Sequence, residues 1–109
     1  MPGNTSKSQR IYRVDRFAVP ISVRAEFLDR VRQTHEVLRT QPGFLQDMLL
    51  EQAAGNEHHI VTIVEWEDAA ALAPAKVNVQ AMQRKMNFDP QEFLAQNGIK
   101  AEIGNYLSI

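Results

Sequence analysis

Few side chains in this 109-residue sequence are able to do chemistry, and no cysteine is among them. Disulfide staples, thiolate nucleophiles and thiolate metal sites are therefore excluded. His35 lies in the run Ser22 to Arg39, where Val23, Phe27, Leu28, Val31, Thr34, Val37 and Leu38 fall in one half of a helical wheel. It sits inside that half, between Val31 and Leu28, while Asp29, Arg30, Arg32, Gln33 and Glu36 occupy mainly the rest. An imidazole so placed is either a packed, hydrogen-bonded residue or a base that takes a proton near neutral pH. Asp15 poses a similar choice. Burial would make its carboxylate a stronger base, whereas a partner such as Arg13 or Arg16 would make it half of a surface ion pair.

The most strand-like run is His58 to Asp68, HHIVTIVEWED. Ile60, Thr62, Val64 and Trp66 share one face, and Val61, Ile63 and Glu65 share the other. The run carries the only tryptophan to its end, and Asp68 then offers an N-cap for a following helix. Trp66 is expected to form a pocket wall, or a core residue, or both. Arg84 and Lys85 would either hold an anionic group or form a solvated helix end. Met48, Met82 and Met86 would line a pliable pocket or fill core gaps. Tyr12 and Tyr106 would offer hydroxyls or reach the sheet rim. His58 and His59 are adjacent on a strand and point to opposite faces, so they make a poor joint metal site. No metal site is expected.

The elements that must position these groups follow from pattern. Residues 1–9 read as a flexible N-terminal tail and 10–109 as a single domain. A strand from Arg10 to Val19 puts Tyr12, Val14, Arg16 and Ala18 on one face and Ile11, Arg13, Asp15, Phe17 and Val19 on the other, and Pro20 closes it. The helix after Ser22 stops by about Gln41, ahead of Pro42-Gly43. Phe44 to Gln52 is a second strand, and Gly55-Asn56 reads as a hairpin connection into the third. A helical region from Asp68 to about Met86 should be broken or offset by Pro74. Asp89-Pro90-Gln91-Glu92 is a compact helix start, and Lys100 to Ile109 closes the chain as a strand. The resulting βαββαβ order predicts an α+β, ferredoxin-like fold with a four-stranded antiparallel sheet and helices on one face. Its other face would carry apolar side chains, and a homodimer through that sheet face would cover them.

The composition is that of a globular protein, with 44% hydrophobic and 23% charged residues. A formal net charge of −1 argues against nucleic acid as a partner. No run reaches the roughly 18 apolar residues of a membrane span, and the N-terminus lacks a signal peptide's apolar core. A cytoplasmic location is the expectation.

The Pro42-Gly43-Phe44 step, the strand ending Thr62-Ile63-Val64-Glu65-Trp66-Glu67 and the βαββαβ order resemble the antibiotic biosynthesis monooxygenase family over about residues 10 to 109. The resemblance implies a dimeric α+β barrel and a cofactor-independent monooxygenase, working without metal or flavin on an aromatic or quinol-type small molecule. Such a substrate must itself supply an electron to O2 as an anion, so the site needs an apolar cavity, a base and donors. In those terms His35 or Asp15 would be catalytic, and Trp66, Thr62, Arg84 and Met82 would form the substrate pocket. The chain also departs from the family. Polyketide-tailoring members carry an asparagine where this chain has Thr62, and tyrosines where it has Leu72 and roughly Leu49. Haem-degrading members use groups that would fall at Asp15, Ala75 and Lys85, which disfavours that chemistry. These departures keep open the alternative of a non-catalytic small-molecule-binding or signalling dimer.

Overall fold

The computed structural model describes residues 9–109; the expected N-terminal tail lies outside the described residues except for Gln9. The elements run β1 (Ile11–Pro20), α1 (Arg24–Leu38), β2 (Phe44–Ala54), β3 (Glu57–Trp66), α2 (Leu72–Lys85), α3 (Pro90–Gln96) and β4 (Lys100–Leu107). Short 3-10 turns at Ile21–Val23 and Ala69–Ala71 lead into α1 and α2. The strands pair antiparallel in the order β2-β3-β1-β4. This is the ferredoxin-like arrangement expected from the element order. β2 and β3 are joined by the two residues Gly55-Asn56, with Gly55 at a φ of 65° that a side chain would resist.

Cross-strand partners share a face of the sheet. Opposite β1, Trp66 pairs with Ile11, Val64 with Arg13, Thr62 with Asp15 and Ile60 with Phe17. These are the residues on the helix side. β2 joins with a bulge between Phe44 and Gln46: Phe44 pairs with Trp66, yet Gln46 pairs with Glu65 and Asp47 with Val64. The extra residue, Leu45, inverts the side-chain phase of the strand beyond it. Asp47 is thereby brought under the helices, and Met48 and Leu50 are turned outward.

Two apolar clusters pin the helices to the sheet. Val19, Ile60, Phe27, Leu28 and Ile99 form one, with Phe17 packed edge-on against Phe27. Ile11, Val64, Trp66 and Ala75 form the other, with Phe44 meeting Trp66 edge-on at 5.9 Å between ring centres. Arg13, Asp15 and Thr62 lie between the clusters, so the middle of the helix-facing surface is polar.

Local signals set the helix ends, with two exceptions. Asp89 accepts from the backbone N–H groups of Gln91 and Glu92, with Pro90 at the first helical position, as expected. α2 ends where Asn87, at a φ of 54°, lets the Phe88 N–H donate to the Gln83 carbonyl and its own N–H to Arg84. That Schellman turn aims Phe88 back at the sheet. The expected break at Pro74 is corrected: Pro74 lies in the first turn of α2, where its missing N–H would have had no intrahelical partner. Asp68 precedes the 3-10 turn but makes no side-chain cap bond.

Among the described residues no helix lies on the other face of the sheet. Met48, Leu50 and Tyr106 are exposed there, beside Val14, Val61 and Ile63. Glu65, on the same face, is only 5% exposed. Gln46 donates to one of its carboxylate oxygens, at 2.6 Å, and Arg10 and Tyr12 donate to the other, at 3.0 and 3.3 Å.

Gly43 links α1 to β2 at a φ of 87°, and a Cβ there would lie 2.6 Å from the Cβ of Ala71. Gly43→Ala should therefore lower stability by about 2–3 kcal/mol, combining backbone strain with overpacking. Gly55→Ala, with open space around it, should cost only about 1 kcal/mol. Urea unfolding midpoints of the two variants check the difference.

Candidate active site

A cavity of about 260 Å³ lies beside the first apolar cluster, over the polar middle of the sheet. Arg13, Asp15 and Phe17 of β1, Thr62 of β3 and Ile103 of β4 form its floor. Phe27, Arg30, Val31, Thr34 and His35 of α1 form one wall. Gln83, Phe88, Phe93 and Leu94 line its far side, and the cavity stays open to solvent. The volume lies just under the roughly 300–1,000 Å³ typical of small-molecule sites.

His35 is 4% exposed, and its Nδ1 lies 2.8 Å from Oδ2 of Asp47. Arg39, one turn further along α1, donates to the same oxygen from Nε at 3.1 Å. Burial of Asp47 opposes its ionisation, but the hydrogen bonds from His35 and Arg39 outweigh it and hold the carboxyl below its ordinary range. At neutral pH Asp47 is thus a carboxylate, which only accepts, so the proton of a neutral His35 sits on Nδ1 and the lone pair on Nε2. Among the described residues Nε2 has no hydrogen-bond partner, and no buried side-chain nitrogen or oxygen is left unsatisfied. Nε2 therefore meets open space, which the cavity provides. A base held by an orienting carboxylate is the arrangement general-base catalysis uses.

Of the six residues expected at a site, the structure brings three to this cavity. His35 and Thr62 line it, and so does Asp15. Asp15, however, accepts from Arg13 Nε at 2.8 Å. Of the two alternatives for Asp15 the ion pair with Arg13 is the one observed, on the cavity floor and partly open to solvent, and it is not a free base. Trp66 is not on the cavity: it is 2% exposed and enclosed by Ile11, Phe44, Val64 and Ala75. Of the alternatives for Trp66, the core residue is the one observed, and the pocket wall is not. Met82 and Arg84 also lie off the cavity, and Arg84 is exposed. Ala75 and Val79 set the inward face of α2, which reaches Gln83 eight residues on, so Arg84 is carried round to solvent.

Asp47 and Arg30 were not singled out by sequence. Asp47 interrupts the apolar run FLQDMLLEQ, a signal in retrospect, but its face depends on the bulge at Leu45. Arg30 reads as part of the solvated arc, yet its guanidinium carbon lies over the Phe88 ring, 4.1 Å from the centroid. Elsewhere, His58 Nδ1 contacts Glu51 at 2.6 Å. Among the described residues no three His, Asp or Glu side chains are grouped to hold a metal ion. Nor is any helix long and apolar enough to cross a membrane.

A ferredoxin-like α+β sheet with a small open cleft beneath its helices defines the structural class. The model of the antibiotic biosynthesis monooxygenase family matches residues 10–75, and the chain belongs to that family. Among solved structures it is similar to a variant of SnoaB, a cofactor-independent oxygenase from Streptomyces nogalater, at 23% identity and a TM-score of 0.70, covering 92% of this chain and 93% of that one. A dimeric ferredoxin-like protein from an uncultured marine organism aligns at 17% identity, covering 92% and 95%, with a TM-score of 0.62. A conserved protein from Methanosarcina mazei Go1 aligns at 17% identity, covering 94% and 96%, with a TM-score of 0.67. At these identities the likeness is one of fold. No curated protein matches the chain.

The depressed Asp47 titration fixes the sign of a pH effect. In the acid range the unfolded chain binds a proton at Asp47 before the folded one does, so stability rises with pH there. The contribution is complete above about pH 5 and is lost as pH falls through the folded-state value. Glu51, held at about 2 by Arg24 and His58, acts in the same direction. Asp47→Asn should flatten the acid limb of the stability profile without abolishing it. Urea unfolding between about pH 2 and pH 7 measures that slope.

Proposed function

We propose that this protein is a cofactor-independent monooxygenase that oxidises a phenolic or quinol-type aromatic molecule with O2, and that it acts as a homodimer. The observation that carries the reading is the buried His35, oriented by Asp47 with its free nitrogen toward an aromatic-lined cavity. Family membership supports the same reaction class.

His35 takes the proton of a ring hydroxyl at Nε2, leaving a phenolate. The imidazolium so formed is stabilised by the Asp47 carboxylate, and the phenolate gives an electron to O2. Recombination of the substrate radical and superoxide forms a carbon–oxygen bond at the unsubstituted position para to the hydroxyl of a phenol, or ortho to it in a quinol, where the para position is filled. Loss of water from the resulting peroxide, with proton return from His35, gives the quinone. The balance is one phenol and one O2 to one p-quinone and one water, with four electrons passing from substrate to oxygen. Phe27, Phe88 and Phe93 supply flat apolar surfaces for the ring. Thr62, with a hydroxyl that has no protein partner among the described residues, faces the same space.

The homodimer reading rests on the open sheet face, where Met48, Leu50 and Tyr106 are exposed together, and on the dimeric state of the marine ferredoxin-like relative. Residues 10–109 would then act as one domain per subunit. The enclosure of Trp66 in the core, away from the cavity, favours a second reading: a binding dimer that retains the fold without catalysis.

Oxygen uptake by purified, metal-stripped protein with a panel of phenols and quinols, corrected for autoxidation, separates the two. The oxygenase should consume O2 and form quinone in equal amounts, and His35→Ala should lower turnover about a hundredfold to ten-thousandfold while staying folded. Binding without uptake across the panel would leave the binding dimer. By sedimentation, the wild-type chain should run as a dimer and Met48→Glu as a monomer.

A further inference from the structure

We infer that the molecule held in the cavity is a hydroxylated aromatic acid, its carboxylate taken by Arg30 while its ring hydroxyl meets His35. This rests on the reading of the cavity as an aromatic-substrate site and adds a fixed negative charge to that substrate.

The charges on the cavity wall do not cancel. Arg13 and Asp15 neutralise each other through their 2.8 Å contact. Arg30 has no carboxylate partner among the described residues, although Arg10, Arg16, Arg24 and Arg39 each have one. A guanidinium is always charged at physiological pH. Arg30 is partly buried on a lining it shares with Phe27, Val31 and Phe93, so an anion bound there would meet a cation in a largely apolar setting. Phe88 opposes the charge in part, because the guanidinium lies over its ring. The guanidinium carries five N–H donors, which are available to donate to the two oxygens of a carboxylate.

The position is built. Phe88 is set by the Schellman turn at Asn87 and braced by Phe93, with ring centres 5.5 Å apart. Arg30 and His35 are five residues apart on α1, so their anchors are separated by about 7.5 Å along the helix axis. A fused two-ring acid with its hydroxyl on the far ring spans that separation. Arg84, the anion-binding candidate from sequence, is exposed and off the cavity.

The test is calorimetric titration of the full chain with a hydroxynaphthoate and with its matching carboxamide, without reference to turnover. Wild-type protein should bind the acid about tenfold or more tighter than the amide. Arg30→Gln should abolish that preference and leave amide affinity unchanged, Arg30→Lys should restore part of it, and Arg84→Gln should behave as wild type. Melting temperatures of each variant establish that the fold is retained. Equal binding of acid and amide, binding of neither, loss of both alike in Arg30→Gln, or an acid preference abolished only by Arg13→Gln would each overturn the inference. Acid binding through Arg30 without oxygen uptake would overturn the oxygenase reading alone. Uptake with neutral phenols and no effect of Arg30 would overturn this one alone.

Discussion

The hydrogen bond between Asp47 and His35 is the constraint on which the rest of the site depends. It joins the middle of an edge strand to the buried arc of a helix, and each group satisfies the other where water is scarce. Either alone would be a liability: a carboxylate under a helix, or an imidazole among aliphatic side chains. Together with Arg39 they form a closed set that leaves one ring nitrogen to spare. The pairing exists because β2 carries one residue more than its partner between Phe44 and Gln46. Without that bulge the acid would sit on the opposite face, and Met48 would crowd the imidazole.

The polar groups lie between two apolar clusters rather than at one end of the sheet. Val19, Ile60 and Phe27 hold one end of the helix layer, and Ile11, Trp66 and Ala75 hold the other. Apolar packing is concentrated at the two ends, which frees the centre to hold Arg13, Asp15 and Thr62 beside an open cleft.

Legibility in the sequence followed the range of the deciding signal. The faces of β1 and β3 were readable because strict alternation survives along both strands, and the Asp89-Pro90 helix start because its signal spans four adjacent residues. Asp47 was not, since a one-residue bulge resets the alternation and nothing in the strand announces it. Trp66 was placed on the correct face, but periodicity is silent on what covers a face; a small residue on another helix, Ala75, does so. Arg84 and Gln83 differ by one position, and only the packing of Ala75 decides which points inward. The site is therefore less legible than the fold: it depends on phase, and phase is set by contacts distant in sequence.

Glu65 gives the open sheet face a property its apolar neighbours do not explain. Gln46, Arg10 and Tyr12, all from the same chain, already occupy both of its carboxylate oxygens, so the charge has largely parted with its water before anything approaches. A layer laid over this end of the surface would strip little further hydration from Glu65 and would not strand it as an ion. That end of the face is in that sense dried in advance, with this acid sealed by neighbours on the same sheet, whereas the Arg16–Glu102 pair towards the other end stays exposed to water.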